Sequence, residues 1–220
     1  MLLTKILYFC EKVITEMIGI NTEVWELIRS WGRGKIFFPQ DFAQLESPDC
    51  VRQALCVLTN ERQIIRLAHG VYCYPRIVGE YKMQTVYPSE ESIAEAIAAK
   101  ENVRIIPYGD QAGYKLGLTT FRVSDLKYLT DGAPRKINLA KGRKIYFNHT
   151  SEVKMFAFCN ENMQMLSSAI RALGKEYLDD PVKKRTMHDI LRKVPEAEFA
   201  KDIVLPPAWV GEIILDVWNN

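Results

Sequence analysis

The spacing of apolar residues over the first third of the chain predicts a series of short helices. In "EVWELIRSW", residues 23–31, apolar side chains recur every three or four positions, and Asn21 or Thr22 can cap this helix. The apolar run "IFFP" then predicts a short strand. Pro39 can begin the next helix, "PQDFAQL", because the first position of a helix needs no backbone N–H.

The clearest helical pattern lies in "SPDCVRQALCVLTNE", residues 47–61. Ser47 and Pro48 are residue types that begin helices. The apolar positions form one stripe with the spacing of a helix packed on a core: Val51, Ala54, Leu55 and Leu58. The polar residues between them are therefore expected to face outward.

A β-hairpin is predicted directly after this helix. Two β-prone runs, Ile64–Leu67 and Val71–Tyr74, flank "AHG", and Pro75 ends the second run. Because side chains alternate along a strand, we expect Val71 and Cys73 on a core face and the two tyrosines between and after them on an outer face.

The order helix, strand, helix, helix and hairpin is typical of a winged helix-turn-helix. We therefore assign residues 21–77 to such a domain, with the helix 48–60 as the DNA-reading helix and the hairpin 64–74 as the wing. Residues 78–88 are expected to be a linker. The apolar spacing in residues 1–20 predicts an amphipathic helix that covers the body of the protein or a partner subunit. The alternative is that these residues are a poorly structured tail added by an upstream start codon.

Residues 89–220 predict a mixed α/β domain with a small sheet and C-terminal helices, so the fold class is α+β. "SEESIAEAIAAK" indicates a helix beginning at Ser89, "VRIIP" a strand and "GDQAGYKLG" a short helix. Three further strands are predicted in "LKYLT", "KINLA" and "KIYFN", joined by turns that contain glycine. Helical patterns follow after Ser151, one of which starts at Asp180 and Pro181.

Composition places the chain among ordinary globular proteins, with 220 residues, 48% hydrophobic and 25% charged. The net charge is only +2, so affinity for nucleic acid must come from local basic patches. Five well-separated cysteines without a CxxC pair predict no disulfide framework and a reducing, cytoplasmic location. Charged residues interrupt the N-terminal apolar residues, which predicts neither a secretion signal nor a membrane span.

The sequence gives little support for catalysis or metal binding. The histidine and cysteines of "RLAHGVYCYP" lack the closely paired spacing of structural zinc sites, and the chain has neither a GxSxG elbow nor a phosphate-binding P-loop. Asp125 and Asp131 flank a strand that carries Lys127, which is a nuclease-like pattern. The alternative is that the two aspartates are turn residues around a hairpin. We expect no enzyme activity, no metal and no cofactor.

Candidate DNA contacts lie on the third helix and the hairpin. The helix and the residues at its end contribute Arg52, Gln53, Asn60 and Arg62. An arginine can bridge guanine O6 and N7, and a glutamine can pair with adenine N6 and N7. Arg66 and His69 of the hairpin would lie beside a phosphate or in the minor groove.

A third group of candidate DNA contacts lies in "RKINLAKGRK", which contains no acidic residue. Its basic residues are Arg135, Lys136, Lys141, Arg143 and Lys144. Such a run is often only a solvated face, but next to a winged helix it is a credible surface for phosphate contacts.

Four segments, in this order, resemble the AbiEi-like antitoxin family of type IV toxin–antitoxin systems. They are "VRQALCVLTNERQIIRLAHGVYCYP", "PSEESIAEAIAAK", "IIPYGDQAGYKLGLTT" and "KYLTDGAPRKINLAKGRKIYFNHTS", within a match from about Trp25 to about Phe158. The resemblance implies an N-terminal winged helix-turn-helix and a C-terminal α/β antitoxin domain. Members tend to have glycine where this chain has Arg62, a position that suits a left-handed helix end.

The resemblance also implies a non-enzymatic regulator that represses its own operon by binding an operator in double-stranded DNA, as a monomer or a homodimer. It further implies that the chain neutralises a nucleotidyltransferase-like toxin, or acts on the target of that toxin. Two alternatives stay open: a protein-interaction module that does not bind DNA, and a nucleic-acid-processing enzyme.

Overall fold

The structure, a computed structural model, describes the greater part of the chain. The described residues are Gly19, 21–45, 47–79, 84–121, 124–140 and 142–220. Apart from Gly19, the amphipathic helix predicted for residues 1–20 lies outside them, as does the candidate DNA contact Lys141. The chain divides into two units, which are described in turn.

The first unit is an α+β arrangement of short elements. These are α1 (21–31), β1 (Ile36–Phe37), a 3-10 turn (Pro39–Phe42), α2 (Pro48–Asn60), β2 (Ile65–Ala68) and β3 (Val71–Cys73). The segment predicted as the helix "PQDFAQL" forms only that 3-10 turn. The three strands pair antiparallel in the order β1-β3-β2. A helix-turn-helix followed by a hairpin, with the first strand added to its edge, is a winged helix-turn-helix, as predicted.

The core of the first unit is built from aromatic rings. Phe37 and Phe42 are almost fully buried, with ring centroids 5.9 Å apart, and Trp31 lies 5.0 Å from Phe42. Aliphatic side chains of α1 and α2 complete this cluster: Val24, Ile28, Val51, Ala54, Leu55 and Leu58. The predicted apolar stripe of α2 is therefore confirmed as its buried face.

A second strand pair crosses the predicted boundary between the winged helix-turn-helix domain and the linker 78–88. Strands β4 (Arg76–Val78) and β5 (Gln84–Val86) form an antiparallel hairpin in which every strand residue is exposed. Only Tyr74 and Pro75 separate β4 from β3. The boundary between the two units falls at Ala96, within α3 (Glu90–Glu101).

The second unit combines one mixed sheet with a group of helices. Its strands are β6 (Ile105–Pro107), β7 (Leu126–Thr130), β8 (Arg135–Asn138) and β9 (Lys144–His149), in the order β6-β7-β9-β8. Strands β7 and β9 run parallel, and the two edge strands run antiparallel to their neighbours. Leu139 and Ala140, which follow β8, belong to the first unit, where the Ala140 N–H donates to the Leu67 carbonyl at 2.8 Å.

Six helices follow in the described part of the second unit, and two of them begin at residues whose side chains accept backbone N–H groups. They are α4 (Asp110–Lys115), α5 (Glu161–Leu173), α6 (Lys175–Leu178), α7 (Pro181–Leu191), α8 (Glu196–Asp202) and α9 (Ala208–Asn219). Asn160 accepts N–H bonds at the start of α5, and Asp180 does so at the start of α7, as its position before Pro181 predicts. Among the described residues, no helix is long and apolar enough to cross a membrane.

Candidate nucleic-acid interface

The outward face of α2 is mostly polar. Its exposed polar side chains are those of Asp49, Arg52, Gln53, Cys56 and Asn60, and Pro48 and Val57 are exposed beside them. At 100° per residue the five polar side chains cover an arc of about 100° opposite the buried stripe, and Pro48 and Val57 widen the exposed face by about 40° on each side. The structure therefore places the candidate contacts Arg52, Gln53 and Asn60 together on one surface of the helix.

The start of α2 sets the charge of this surface. The Ser47 hydroxyl accepts the Cys50 N–H at 3.4 Å, and Pro48 occupies the first helical position. The exposed carboxylate of Asp49, the next residue, forms an ion pair with the exposed guanidinium of Arg52 one turn further along the helix. An exposed pair of this kind adds at most about 1 kcal/mol to stability. Its main effect is to offset the positive charge of Arg52.

The end of α2 adopts the left-handed conformation that Arg62 was expected to enter. The φ angle of Arg62 is 60°. Its N–H donates to the Thr59 carbonyl, and the Gln63 N–H donates to the Leu58 carbonyl, both at 3.0 Å. This pairing is the Schellman motif, in which glycine is the usual left-handed residue. Arg62 is exposed, so its charge lies just beyond the polar face of α2.

The hairpin tip presents an arginine and a histidine as a bonded pair. Arg66 Nη2 lies 3.0 Å from His69 Nδ1, and both side chains are exposed. A guanidinium can only donate, so Nδ1 accepts and the ring proton is on Nε2. The turn between the strands is short, with Gly70 at φ 69°. The wing is therefore a tight turn that carries two polar side chains.

The prediction for β3 is confirmed for Val71 and Cys73, which are buried, and is wrong for the two tyrosines. Tyr72 and Tyr74, expected on an outer face, pack on the aromatic core of α1 and α2, and Tyr74 contacts the Trp25 ring edge-on at 5.4 Å. Val71 and Cys73 are 4% and 0% exposed on the other side of the strand. Large rings fill the space beside Phe37 that short side chains would leave empty. Both faces of the hairpin are thus covered.

The turn before β1 is closed by arginines. Arg33 donates to the Pro75 carbonyl at 2.9 Å and lies over the Tyr74 ring at 4.6 Å. Gly34 has φ 93°, and a Cβ built there would stand 2.4 Å from Arg76 Nε. The glycine in "GRGK" therefore makes room for a guanidinium. This explains the motif without a bound phosphate.

The basic run 135–144 is divided between the two faces of the second sheet. Arg135 forms an ion pair with Glu101 and lies 4.9 Å from the centre of the Phe147 ring, on the side that faces the core. Lys136 and Lys144 lie on the opposite side. Arg143 Nε donates to the Ser124 carbonyl at 2.6 Å. The run is therefore not one continuous patch.

Sequence reasoning missed two members of the face that carries Lys136 and Lys144. Lys127 of β7 and Tyr146 of β9 are directly opposite one another across the parallel pair, and Tyr146 is also opposite Lys136. The alternation within "LKYLT" and "KIYFN" signals which residues share a side of each strand. The pairing of the two strands, which β8 separates in sequence, is needed to bring them together.

The cysteines and histidine of "RLAHGVYCYP" do not converge. Cys73 is fully buried, and burial raises the pKa of its thiol to about 11. His69 points outward at the hairpin tip. Within the described part of the chain, no group of three His, Cys, Asp or Glu side chains is placed to hold a metal ion.

The acidic pair of the nuclease-like pattern serves structural roles. Asp125 accepts the Lys144 N–H at 3.0 Å, and Asp131 accepts the Arg104 N–H and the Arg104 guanidinium, both at 2.8 Å. The Arg104 bonds lower the pKa of Asp131. The five residues of β7 separate the two carboxylates, a span of roughly 20 Å. They cannot act on one substrate bond together.

Comparison with known proteins places the chain in a family. No curated protein and no solved structure matches it. The sequence profile of one family covers residues 23–199, which include the winged helix-turn-helix, the mixed sheet and the helices through most of α8. The chain therefore belongs to DUF6088, a family of unknown function.

Proposed function

We propose that this protein is a DNA-binding transcriptional regulator that reads its operator with the outward face of α2. The observation that carries the proposal is the joint exposure of Arg52 and Gln53 on the helix that, in helix-turn-helix proteins, enters the major groove. Both side chains can make two hydrogen bonds to one purine. The Arg66–His69 pair of the tight wing would contact the flanking backbone.

The charge of the first unit indicates how the affinity for DNA would divide between phosphate contacts and base contacts. Residues 21–79 contain seven basic and six acidic residues. Few phosphate contacts are therefore available, and the dependence of affinity on salt should be shallow. Discrimination between sequences would come from the groove contacts of α2 rather than from the backbone.

The proposal extends to the biological setting that the AbiEi-like resemblance implies. The regulator would be cytoplasmic, would bind double-stranded DNA as a monomer or a homodimer, and would repress its own operon without catalysing a reaction. Neutralisation of a nucleotidyltransferase-like toxin rests on the resemblance alone.

A mobility-shift titration on the DNA upstream of the gene tests the proposal. We expect a shift that Arg52→Ala and Gln53→Ala each weaken by about 1–3 kcal/mol on the operator but not on scrambled DNA. Arg29→Ala is the matched control, since Arg29 is an exposed helical arginine of α1 in the same unit. Unchanged sequence preference in both α2 variants would show that α2 does not read the bases.

A protein-interaction module is the second candidate function, and one observation favours it. Trp209 and Leu215 are 42% and 41% exposed on the outward side of α9, where a partner could bury them. This candidate predicts a stable complex with the product of a neighbouring gene and no DNA binding at low salt. The DNA titration therefore gives opposite results under the two proposals, and a co-purification of the two gene products tests the complex.

A further inference from the structure

The second sheet has one open side that carries three lysines around a tyrosine. The side chains on it are Lys127 and Leu129 of β7, Lys136 and Asn138 of β8, and Lys144, Tyr146 and Asn148 of β9; we call this the lysine face. Next to Leu129, at the edge strand β6, the same side carries the buried Ile106. Lys127 and Lys136 stand on either side of Tyr146. With strands about 4.8 Å apart, their backbones are roughly 10 Å from one another. Four of the seven side chains of the lysine face are exposed, and those of Leu129, Lys144 and Tyr146 are half-buried.

The other side of the same strands is packed, which fixes the direction of the lysine face. Tyr128 and Phe147 are buried there with stacked rings 5.9 Å apart. Buried Gln111 of α4 accepts the Lys127 N–H at 3.0 Å and donates to the Tyr128 hydroxyl at 3.1 Å. The backbone of β7 is thus held from the packed side. The side chain of Lys127 is left on the open side.

The charge of the lysine face is strongly one-sided. The four strands of the sheet contain no aspartate or glutamate. Asp125, just before β7, accepts the backbone N–H of Lys144. The Lys136 ammonium lies 5.6 Å from the centre of the Tyr146 ring, so cationic and aromatic groups adjoin. This surface combines the two chemistries that bind single-stranded nucleic acids, phosphate neutralisation and base stacking.

We propose that the lysine face binds single-stranded RNA, with phosphates on Lys127, Lys136 and Lys144 and a base stacked on Tyr146. An unpaired base can reach a ring on a flat sheet, whereas the bases of a duplex are stacked inside it. Asn138 and Asn148 add exposed amides, which can both donate to and accept from a ribose 2′-hydroxyl. This site is independent of the duplex contacts proposed for α2.

The test is the fluorescence anisotropy of a labelled twelve-nucleotide oligouridine titrated with the full chain. Lys127→Gln and Lys136→Gln should each reduce the slope of log affinity against log salt by about 0.7, the value for one phosphate contact on a single strand. Tyr146→Val should weaken binding at least about fivefold through lost stacking, whereas Tyr146→Phe should retain it. Lys201→Gln, an exposed lysine of α8, is the matched control.

Each outcome separates this proposal from the one for α2. Retained RNA binding in Arg52→Ala, and retained operator binding in Lys127→Gln and Lys136→Gln, would support two distinct sites. The RNA proposal is overturned if the chain does not bind oligouridine at low salt. It is also overturned if the lysine variants bind as tightly as wild type, or if oligothymidine or duplex DNA binds equally well through the same residues. Thermal unfolding of Tyr146→Val, compared with Tyr146→Phe, shows whether lost binding reflects lost folding.

Discussion

The outward face of α2 and the lysine face use similar side chains in opposite electrostatic settings. On α2, the guanidinium of Arg52 is paired with the carboxylate of Asp49 one turn earlier. On the lysine face, three ammonium groups stand on strands that contain no acidic residue. A basic residue next to a carboxylate contributes little long-range attraction, and a cluster without one attracts any polyanion. The first surface is suited to selecting a sequence and the second to holding a phosphate backbone.

The two surfaces also differ in shape, for reasons that lie in their backbones. The exposed polar side chains of α2 occupy a narrow arc of a helix, which fits a groove. The lysine face is a sheet whose neighbouring strands hold their side chains at fixed cross-strand distances. A flat array of this kind can contact an unstacked strand at several points. Shape and charge therefore lead to the same division of roles.

The largest effect on stability is expected for a substitution on the packed side of the second sheet, which supports the lysine face. Phe147→Ala removes a fully buried ring that stacks on Tyr128, and it should lower the free energy of unfolding by about 3–5 kcal/mol. Urea denaturation followed by circular dichroism measures this loss. Phe121→Ala is the matched control, because Phe121 is 73% exposed and should change stability by less than about 0.5 kcal/mol. Equal, small losses at both positions would contradict the packed sheet.

A smaller effect, on DNA affinity, is expected when the ion pair between Asp49 and Arg52 on α2 is removed. Asp49→Asn removes the carboxylate that offsets Arg52, so duplex DNA should bind more tightly by about 1 kcal/mol, or roughly fivefold, at low salt. Scrambled DNA should gain as much as the operator, because the change acts through charge. Glu23→Gln, an exposed acidic residue of α1, is the control and should change affinity less. Weaker operator binding by Asp49→Asn would mean that the carboxylate orients Arg52 for base contact.

The elements of both regions follow largely from local patterns in the sequence. The stripe of Val51, Ala54, Leu55 and Leu58 predicts α2 and its buried face, because a helical period admits one packed side. The strands "LKYLT" and "KIYFN" are likewise confirmed. The alternation also predicts that Arg135 and Lys136 face opposite ways, a consequence that a linear view of 135–144 overlooks.

Non-local pairing accounts for what the sequence did not predict. Alternation along β3 separates Val71 and Cys73 from the tyrosines, but it does not say which set meets the helices; the aromatic core decides that. The lysine face depends on the parallel register of β7 with β9, strands separated in the chain by β8. The hairpin β4–β5 was missed because its three-residue runs border glycine and proline and resemble a linker.

The smallest effect is expected for a substitution of Arg62, at the end of α2, which changes folding stability and DNA binding separately. Arg62 holds a left-handed conformation that costs a residue with a side chain about 1–2 kcal/mol, while glycine there loses about 0.4–1 kcal/mol more chain entropy on folding. Arg62→Gly should therefore raise the free energy of unfolding by roughly 0.5–1 kcal/mol, measured by urea denaturation. Asn102→Gly is the control, since asparagine at φ 53° tolerates this conformation and should gain less.

The same Arg62 variant tests whether the charge beyond α2 contacts DNA. A phosphate contact by Arg62 would make Arg62→Gly more stable yet weaker in binding the operator, with the salt slope reduced by about 0.9. Increased stability with unchanged affinity would remove Arg62 from the interface and confine recognition to the arc from Asp49 to Asn60. Decreased stability would instead show that the arginine side chain makes contacts that outweigh its backbone strain.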